Sequence, residues 1–311
     1  MLTWELVGAV VGAGLASGRE VASFFTRHGR WSTLGILVAG ITLISLAKTR
    51  IPTAWKQMWP ERLWRILLSL LLIATGGAML SGAGEVAALT LPIHGAYWIG
   101  MAGTIVLAWK LADRTSVGLA WVSRILLCVL AAMIVMGFRQ TAAPAIVIPD
   151  SSLMSAVAGG FAYGGFNAAL QVSILAENEK HKGGQGKHIL FSGLLIMTLL
   201  LLGNTVLLRQ PTLISEAMPF VSMMRSCGKL GYYLGAMSLF LAILSTLTAC
   251  LRGLARKPQA VIGVIAVAML GFHGVVEKAY PLLGGACMLM LVVAKFTNYF
   301  SGPFISRQDM I

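Results

Sequence analysis

The sequence predicts an all-α integral membrane protein of about ten transmembrane helices, and three observations carry that prediction. Hydrophobic residues fill 57% of the 311 positions and charged residues only 11%, against roughly 25% charged in an ordinary globular domain. The apolar residues are gathered into long runs, where a spanning helix needs about 20. Thirty-five glycines complete the picture, because small residues let membrane helices approach closely and let them break. Mean hydropathy is +0.82. So few charges cannot cover a surface in water, and a disordered chain would be polar.

The apolar runs lie at about 3–25, 31–48, 64–90, 96–112, 117–137, 152–177, 188–208, 230–251, 259–274 and 279–298, each judged against the length needed to cross a hydrocarbon core. The first and sixth are unusually rich in glycine. The third carries Glu85 late in its run, the fifth carries Arg124, and the eighth carries Ser245-Thr246-Leu247-Thr248. The ninth is the shortest, and the tenth ends near Lys295. The segment 209–228 is too polar to span (Pro211, Ser215, Glu216, Pro219, Arg225) and is expected as a short amphipathic helix along a surface.

The net charge of +13 does not indicate nucleic acid, because the cations sit in short loops between apolar runs. With the amino terminus cytoplasmic, loop lysines and arginines favour the inner side two to one, so both termini are expected inside. Arg19, Arg27 and Arg30 run against that bias. The chain begins Met1-Leu2-Thr3-Trp4-Glu5, without the basic region of a cleavable signal, so the first span is expected to be retained. Cys128, Cys227, Cys250 and Cys287 have no metal-site spacing and read as small core hydrophobes.

A repeat is visible in the glycines. At an offset of 151 residues, Gly8 lies over Gly159, Gly14 over Gly165, Glu20 over Gln171 and Val21 over Val172. The second copy comes five spans after the first, an odd step, so it enters from the opposite face. Glycine-interrupted spans at corresponding places in two inverted halves point to a transporter's binding site. The halves are 1–145 and 150–298, five helices each (5+5) in one intertwined domain, with a tail at 299–311. The first and sixth spans are both expected to break, since each glycine costs about 1 kcal/mol relative to alanine in a helix. The plainer reading of the same glycines is close helix packing.

The stretch Gly12-Ala13-Gly14-Leu15-Ala16-Ser17-Gly18-Arg19-Glu20 resembles the GAGFASGQE signature of the bacterial YkvI-type membrane proteins, with Leu15 for Phe and Arg19 for Gln. Phe161-Ala162-Tyr163-Gly164-Gly165 resembles the sixth span more loosely. These proteins are similar to the amino acid–polyamine–organocation superfamily, whose fold is the LeuT-like five-plus-five inverted repeat in a bacterial cell membrane. The resemblance implies a solute carboxylate held on the amides of Ala13 and Gly14, and an amine near the carbonyl of Val10. It implies further contacts from Tyr163, Gly164, Gly165 and Asn167. A coupling cation would lie between the carbonyls of Gly8, Val11 and Ala242 and the hydroxyls of Ser245 and Thr246. Oxygen ligands of that kind suit a hard cation rather than a transition metal. Local back-bonding is the structural alternative for Ser245 and Thr246.

Ionisable groups inside spans are functional hypotheses by default. Glu85 is a candidate proton or charge relay, or else a carboxylate near a helix end. Glu20 is expected to pair locally with Arg19. Arg124 either occupies the cation position or snorkels, and Lys295 snorkels. Glu177 and Glu179 with Lys180 and Lys182 read as a solvated loop. Nothing suggests an enzyme. Asp113, Asp150 and Asp309 lie near loops, the histidines (28, 94, 181, 188, 273) are scattered, and HExxH, GxSxG and P-loop patterns are missing.

The expectation is therefore a secondary active transporter of a small amino-acid-like solute, by symport or antiport with Na+ or H+. No other cofactor is expected, and the partners are the solute and the lipid bilayer. The rival is a membrane sensor with the same fold that binds a ligand without moving it.

Overall fold

The computed structural model describes residues 2–52, 55, 58–112, 117–140, 151–177, 185–255 and 257–301. Asp113, Asp150, Asp309, Glu179, Lys180, His181, Lys182 and most of the expected tail lie outside the described residues. Among the described residues there is no strand. The first span is three short helices, α1 (Leu2–Val10), α2 (Ala13–Ala16) and α3 (Arg19–Phe24), followed by a 3-10 turn at Thr26–Trp31. Then come α4 (Ser32–Leu46), α5 (Trp59–Thr90), α6 (Ala96–Leu111), α7 (Val117–Arg139), α8 (Leu153–Glu177), α9 (Gln185–Arg209) and the short α10 (Pro219–Met224). The chain ends with α11 (Gly228–Gly253), α12 (Pro258–Ala268), α13 (Phe272–Gly274), a π turn at Val275–Ala279, and α14 (Tyr280–Ser301).

Proline sets several starts. Pro60, Pro219 and Pro258 stand in the first turns of α5, α10 and α12, where the missing N–H is not needed. Helix α5 stops at Thr90, with Leu91 extended before Pro92, as a residue before proline prefers.

Five stretches are long and apolar enough to cross a membrane: Thr26–Leu46, Trp59–Thr90, Gln185–Arg209, Pro219–Gly253 and Phe272–Tyr299. Ala96–Leu111 and Pro258–Ala268 are apolar but shorter. Large side chains such as Ile41, Val106, Phe191, Met237 and Ile262 are exposed on the outside, as in a protein solvated by lipid. The chain is a multi-pass membrane protein. Inside, one continuous apolar cluster runs from Val7 to Leu291.

Three sequence expectations are corrected. The sixth span does not break: α8 is continuous from Leu153 to Glu177. Its glycines are packing sites. A Cβ on Gly160 would overlap the Gly35 carbonyl, and one on Gly164 would stand 2.7 Å from the Ala39 carbonyl and 2.6 Å from Thr42 Cβ. Gly160 and Gly164, four apart on α8, thus meet Gly35 and Ala39, four apart on α4, in the small-residue contact of close membrane helices. The other side of α8 does the same with α14, where Gly165 and Gly284 meet the partner helix backbone. Second, the 209–228 segment is not one surface helix: no residue of Pro211–Ser215 or Arg225–Cys227 is buried, but the helix between them is. Phe220, Val221, Met223 and Met224 of α10 are buried, and Phe220 packs over Gly18 and Gly203. Third, the ninth helix ends at Ala268, and after Gly271 (φ +77°) the residues Phe272–Gly274 begin the last span instead.

With backbone at the contact, the α4–α8 interface has no room for a larger side chain. Gly164→Leu is expected to destabilise the protein by about 2 kcal/mol or more through overpacking, read as a lowered melting temperature in detergent. Leucine at the uncrowded Gly103 is expected to change it little.

Candidate functional site

The first span leaves the helix twice. Val11 N still donates to Val7 O (2.7 Å), but Gly12 N turns back to Val10 O (2.8 Å). Gly8 O thereby loses its donor four residues on. Gly12 is extended (φ −85°, ψ −170°) and opens α2. The second departure is at Gly18, left-handed at φ +82°, a conformation that favours glycine.

The groups freed at the second departure find partners. Ser17 Oγ donates to Gly14 O (2.9 Å) and accepts from Arg19 N (3.2 Å). Ser17 O accepts from Phe220 N of α10 (2.8 Å). Such satisfaction is what an apolar interior requires of irregular backbone.

Helix α11 faces the first departure. A Cβ on Gly12 would stand 3.1 Å from Thr246 Oγ1, and that buried hydroxyl has no hydrogen-bond partner among the described residues. Ser245 Oγ, one residue earlier, donates to Ala242 O (2.9 Å). Of the expected cation ligands, the Gly8 carbonyl and the Thr246 hydroxyl therefore keep spare valence, while Ser245 and Ala242 satisfy each other. Val11 is buried at the turn itself.

The expected solute ligands separate. Val10, Ala13 and Gly14 lie buried at the break, with the Val10 carbonyl already taken by Gly12 N. Tyr163 reaches the break from α8 and is 1% exposed, held by the ring edges of Phe24 and Phe25 at centroid distances of 5.3 and 5.1 Å. Gly164 and Gly165 face α4 and α14 instead. Asn167 Nδ2 donates back to Tyr163 O (3.0 Å). Space beside Gly14 and Gly165 is filled: the Glu20 side chain folds over Gly14, and Met288 covers Gly165.

Glu20 and Arg19 do not pair with each other. Glu20 turns inward over Gly14 and is 4% exposed. Arg19 turns the other way. Its Nη2 meets Glu277 Oε1 at 2.5 Å and His273 Nε2 at 3.3 Å, and its Nη1 donates to Ile214 O (2.8 Å) and Glu216 O (3.1 Å). Glu277 Oε2 lies 2.9 Å from His273 Nε2. A buried guanidinium thus ties α3 to the 3-10 turn at Pro211–Ser215 and to the π turn that opens the last span.

The other ionisable candidates lie elsewhere. Glu85 is half-buried on α5, next to Gly84, which packs on the Tyr97 ring of α6. The Arg124 guanidinium stacks over the Trp4 ring at 5.4 Å. Lys295 Nζ reaches Ser45 O at 3.5 Å. Sequence reasoning missed Glu277, His273, Tyr280 and Phe220. Glu277 is an ionisable residue between two apolar runs, and reading those runs as one span would have flagged it.

No family model matches the chain. Over 97 residues it is 32% identical to the uncharacterized membrane protein YkvI of Bacillus subtilis (strain 168). That match covers 27% of this chain and spans 28% of the relative's length. Among solved structures it is similar to a mutant of the Eremococcus coleocola manganese transporter, with a TM-score of 0.54 at 15% identity. The same transporter in complex with an aromatic bis-isothiourea substituted compound gives 0.52 at 16% identity. Each alignment covers 94% of this chain and 77% of the other. At that identity the likeness is one of fold.

The Arg19 cluster follows directly on the second departure from helix, and its hold on the break can be measured. Ser17 is fully buried. In a background without the native cysteines, Ser17→Cys is expected to label slowly with a membrane-impermeant maleimide. Adding Arg19→Ala is expected to raise the labelling rate, since a buried ion pair loses on the order of 3 kcal/mol when one partner is removed. An unchanged rate would show that the cluster does not seal the break.

Proposed function

We propose that the protein is a secondary active transporter of a small amino-acid-like solute, coupled to Na+ or H+ and working by alternating access. The observation that carries the reading is the broken first span. Its departures from helix lie deep in an apolar bundle, and buried oxygens without partners gather there: Glu20 Oε2, the Tyr163 hydroxyl and the Thr246 hydroxyl. Unsatisfied polar atoms in such surroundings are costly, so their concentration at one place calls for something that visits it.

The likeness in fold to a manganese transporter supports transport as the class of activity. The cargo does not follow from it. The break offers hydroxyls, carbonyls and one carboxylate, an oxygen set suited to a hard cation or an amine rather than to soft ligation. The proposed frame is the five-plus-five inverted repeat of the amino acid–polyamine–organocation superfamily, in a bacterial cell membrane with both termini cytoplasmic. Its halves are 1–145 and 150–298. Thr246, with the freed Gly8 carbonyl, is the proposed foothold of a coupling sodium ion, completed by Val11, Ala242 and Ser245 once the break opens. Glu85 is the proposed relay if the coupling ion is a proton. Release of Arg19 from Glu277 opens the outer approach.

Uptake into sealed vesicles tests the reading. The purified protein is expected to accumulate at least one member of an amino acid panel when a sodium or proton gradient is imposed. Ligand-induced stabilisation without accumulation would favour the sensor. Thr246→Val tests the ion site separately. Replacing a buried, unpartnered hydroxyl with a methyl is expected to raise stability in sodium-free buffer by about 1 kcal/mol. The same change is expected to abolish any sodium-dependent rise in melting temperature.

A further inference from the structure

Glu20 is the acidic group that the described residues place at the break, over Gly14. It is 4% exposed. Its carboxyl lies over Gly14, so that a Cβ there would overlap it. The neighbouring cation, Arg19, is committed to Glu277 at 2.5 Å. Among the described residues no basic side chain forms an ion pair with Glu20. Helix α3, which carries Glu20, packs against α8, which carries Tyr163, and against the π turn that precedes Tyr280; both tyrosines are 1% exposed. The Tyr163 and Tyr280 hydroxyls have no hydrogen-bond partner among the described residues. Both rings are fixed, Tyr163 by Phe24 and Phe25 and Tyr280 by stacking on Phe166 at 4.4 Å.

Three buried oxygens in this packed region, Glu20 Oε2 and the two phenol oxygens, therefore have no partner among the described residues. A primary ammonium presents three N–H donors and one positive charge. It supplies what each oxygen lacks and neutralises a carboxylate that no side chain neutralises. Tyrosine rings beside the carboxylate add cation–π attraction. The carboxyl over Gly14 also stands where the resemblance placed the solute's own carboxylate. The site holds its anion in-house, and the solute brings the cation.

We infer that Glu20, with Tyr163 and Tyr280, binds the ammonium group of the solute, so that a primary amine without a carboxylate is a sufficient ligand. This deepens the transport reading, on which it rests for the solute's presence, and reverses the expected orientation at Gly14.

The test uses the full chain in detergent, with melting temperature as readout and ionic strength held constant. The probes are n-propylammonium chloride, leucine and N-acetylleucine in sodium-free buffer, with potassium chloride as control. Propylammonium and leucine are expected to raise the melting temperature, and N-acetylleucine is not. Glu20→Gln, nearly isosteric and without the buried charge, is expected to melt no lower than the parent in the absence of probe. Its affinity for propylammonium is expected to fall about tenfold to a hundredfold, the worth of a charge-assisted hydrogen bond. Tyr280→Phe, which keeps the ring, is expected to weaken binding less. A response to N-acetylleucine equal to leucine's would overturn the inference. So would an unchanged amine response in Glu20→Gln, a shift reproduced by potassium chloride alone, or no amine response in the parent protein. Vesicle uptake separates this from transport. Amine binding without uptake supports the ammonium site and rejects the transporter, whereas amino acid uptake indifferent to Glu20→Gln does the reverse.

Discussion

A polypeptide that stops being helix inside a membrane releases amides and carbonyls where no water can take them. The first span does this twice within about ten residues, and much of the molecule answers that need. Gly12 N folds back on Val10 O, Ser17 Oγ reaches Gly14 O, and α10 lends Phe220 N to Ser17 O. Helix α10 is short, yet buried, because it closes the second departure and seats Phe220 on Gly18. Glu20 Oε2 over Gly14 and the Thr246 hydroxyl beside Gly12 are left without partners among the described residues.

An irregular segment needs rigid walls, and glycine supplies those too, by another route. Helix α8 is gripped on one side by α4 and on the other by α14 through contacts that admit no Cβ at Gly160, Gly164, Gly165 or Gly284. This is the packing by which membrane helices adhere without a hydrophobic driving force between them. One residue type thus breaks the first span and stiffens the sixth. The difference lies in what faces each glycine: a side chain and a turn in one case, a helix backbone in the other.

That difference marks how far the sequence could be read. Hydropathy placed helices near their observed positions, because apolar length is a one-dimensional property. The break at Gly12–Gly18 was legible for a similar reason, since three glycines and a serine within seven residues make a poor helix on their own. Gly159–Gly165 looked alike in composition, but its fate depended on Gly35, Ala39 and Gly284, distant in the chain. The Arg19–Glu20 pairing failed for the same reason. Adjacent residues on a short helix point in different directions, and Arg19 found Glu277, 258 positions away. Thr246 was placed at the break by resemblance, whereas Tyr280 and Phe220 had no local signal.

The π turn at Val275–Ala279 gives the last span two independent registers. Such a turn holds one residue more than an α-helical turn. Everything before it is rotated by about 100° relative to the position an uninterrupted α-helix would impose. Beyond the turn, Gly284 and Met288 are fixed against α8 by backbone contact. His273, before it, and Glu277, within it, are aimed at Arg19. Deleting a single residue from the turn would leave the α8 contact in place and swing the acidic side chain off the guanidinium. The wide turn works as an angular spacer, and the chemistry at one end of the helix is set apart from the carpentry at the other.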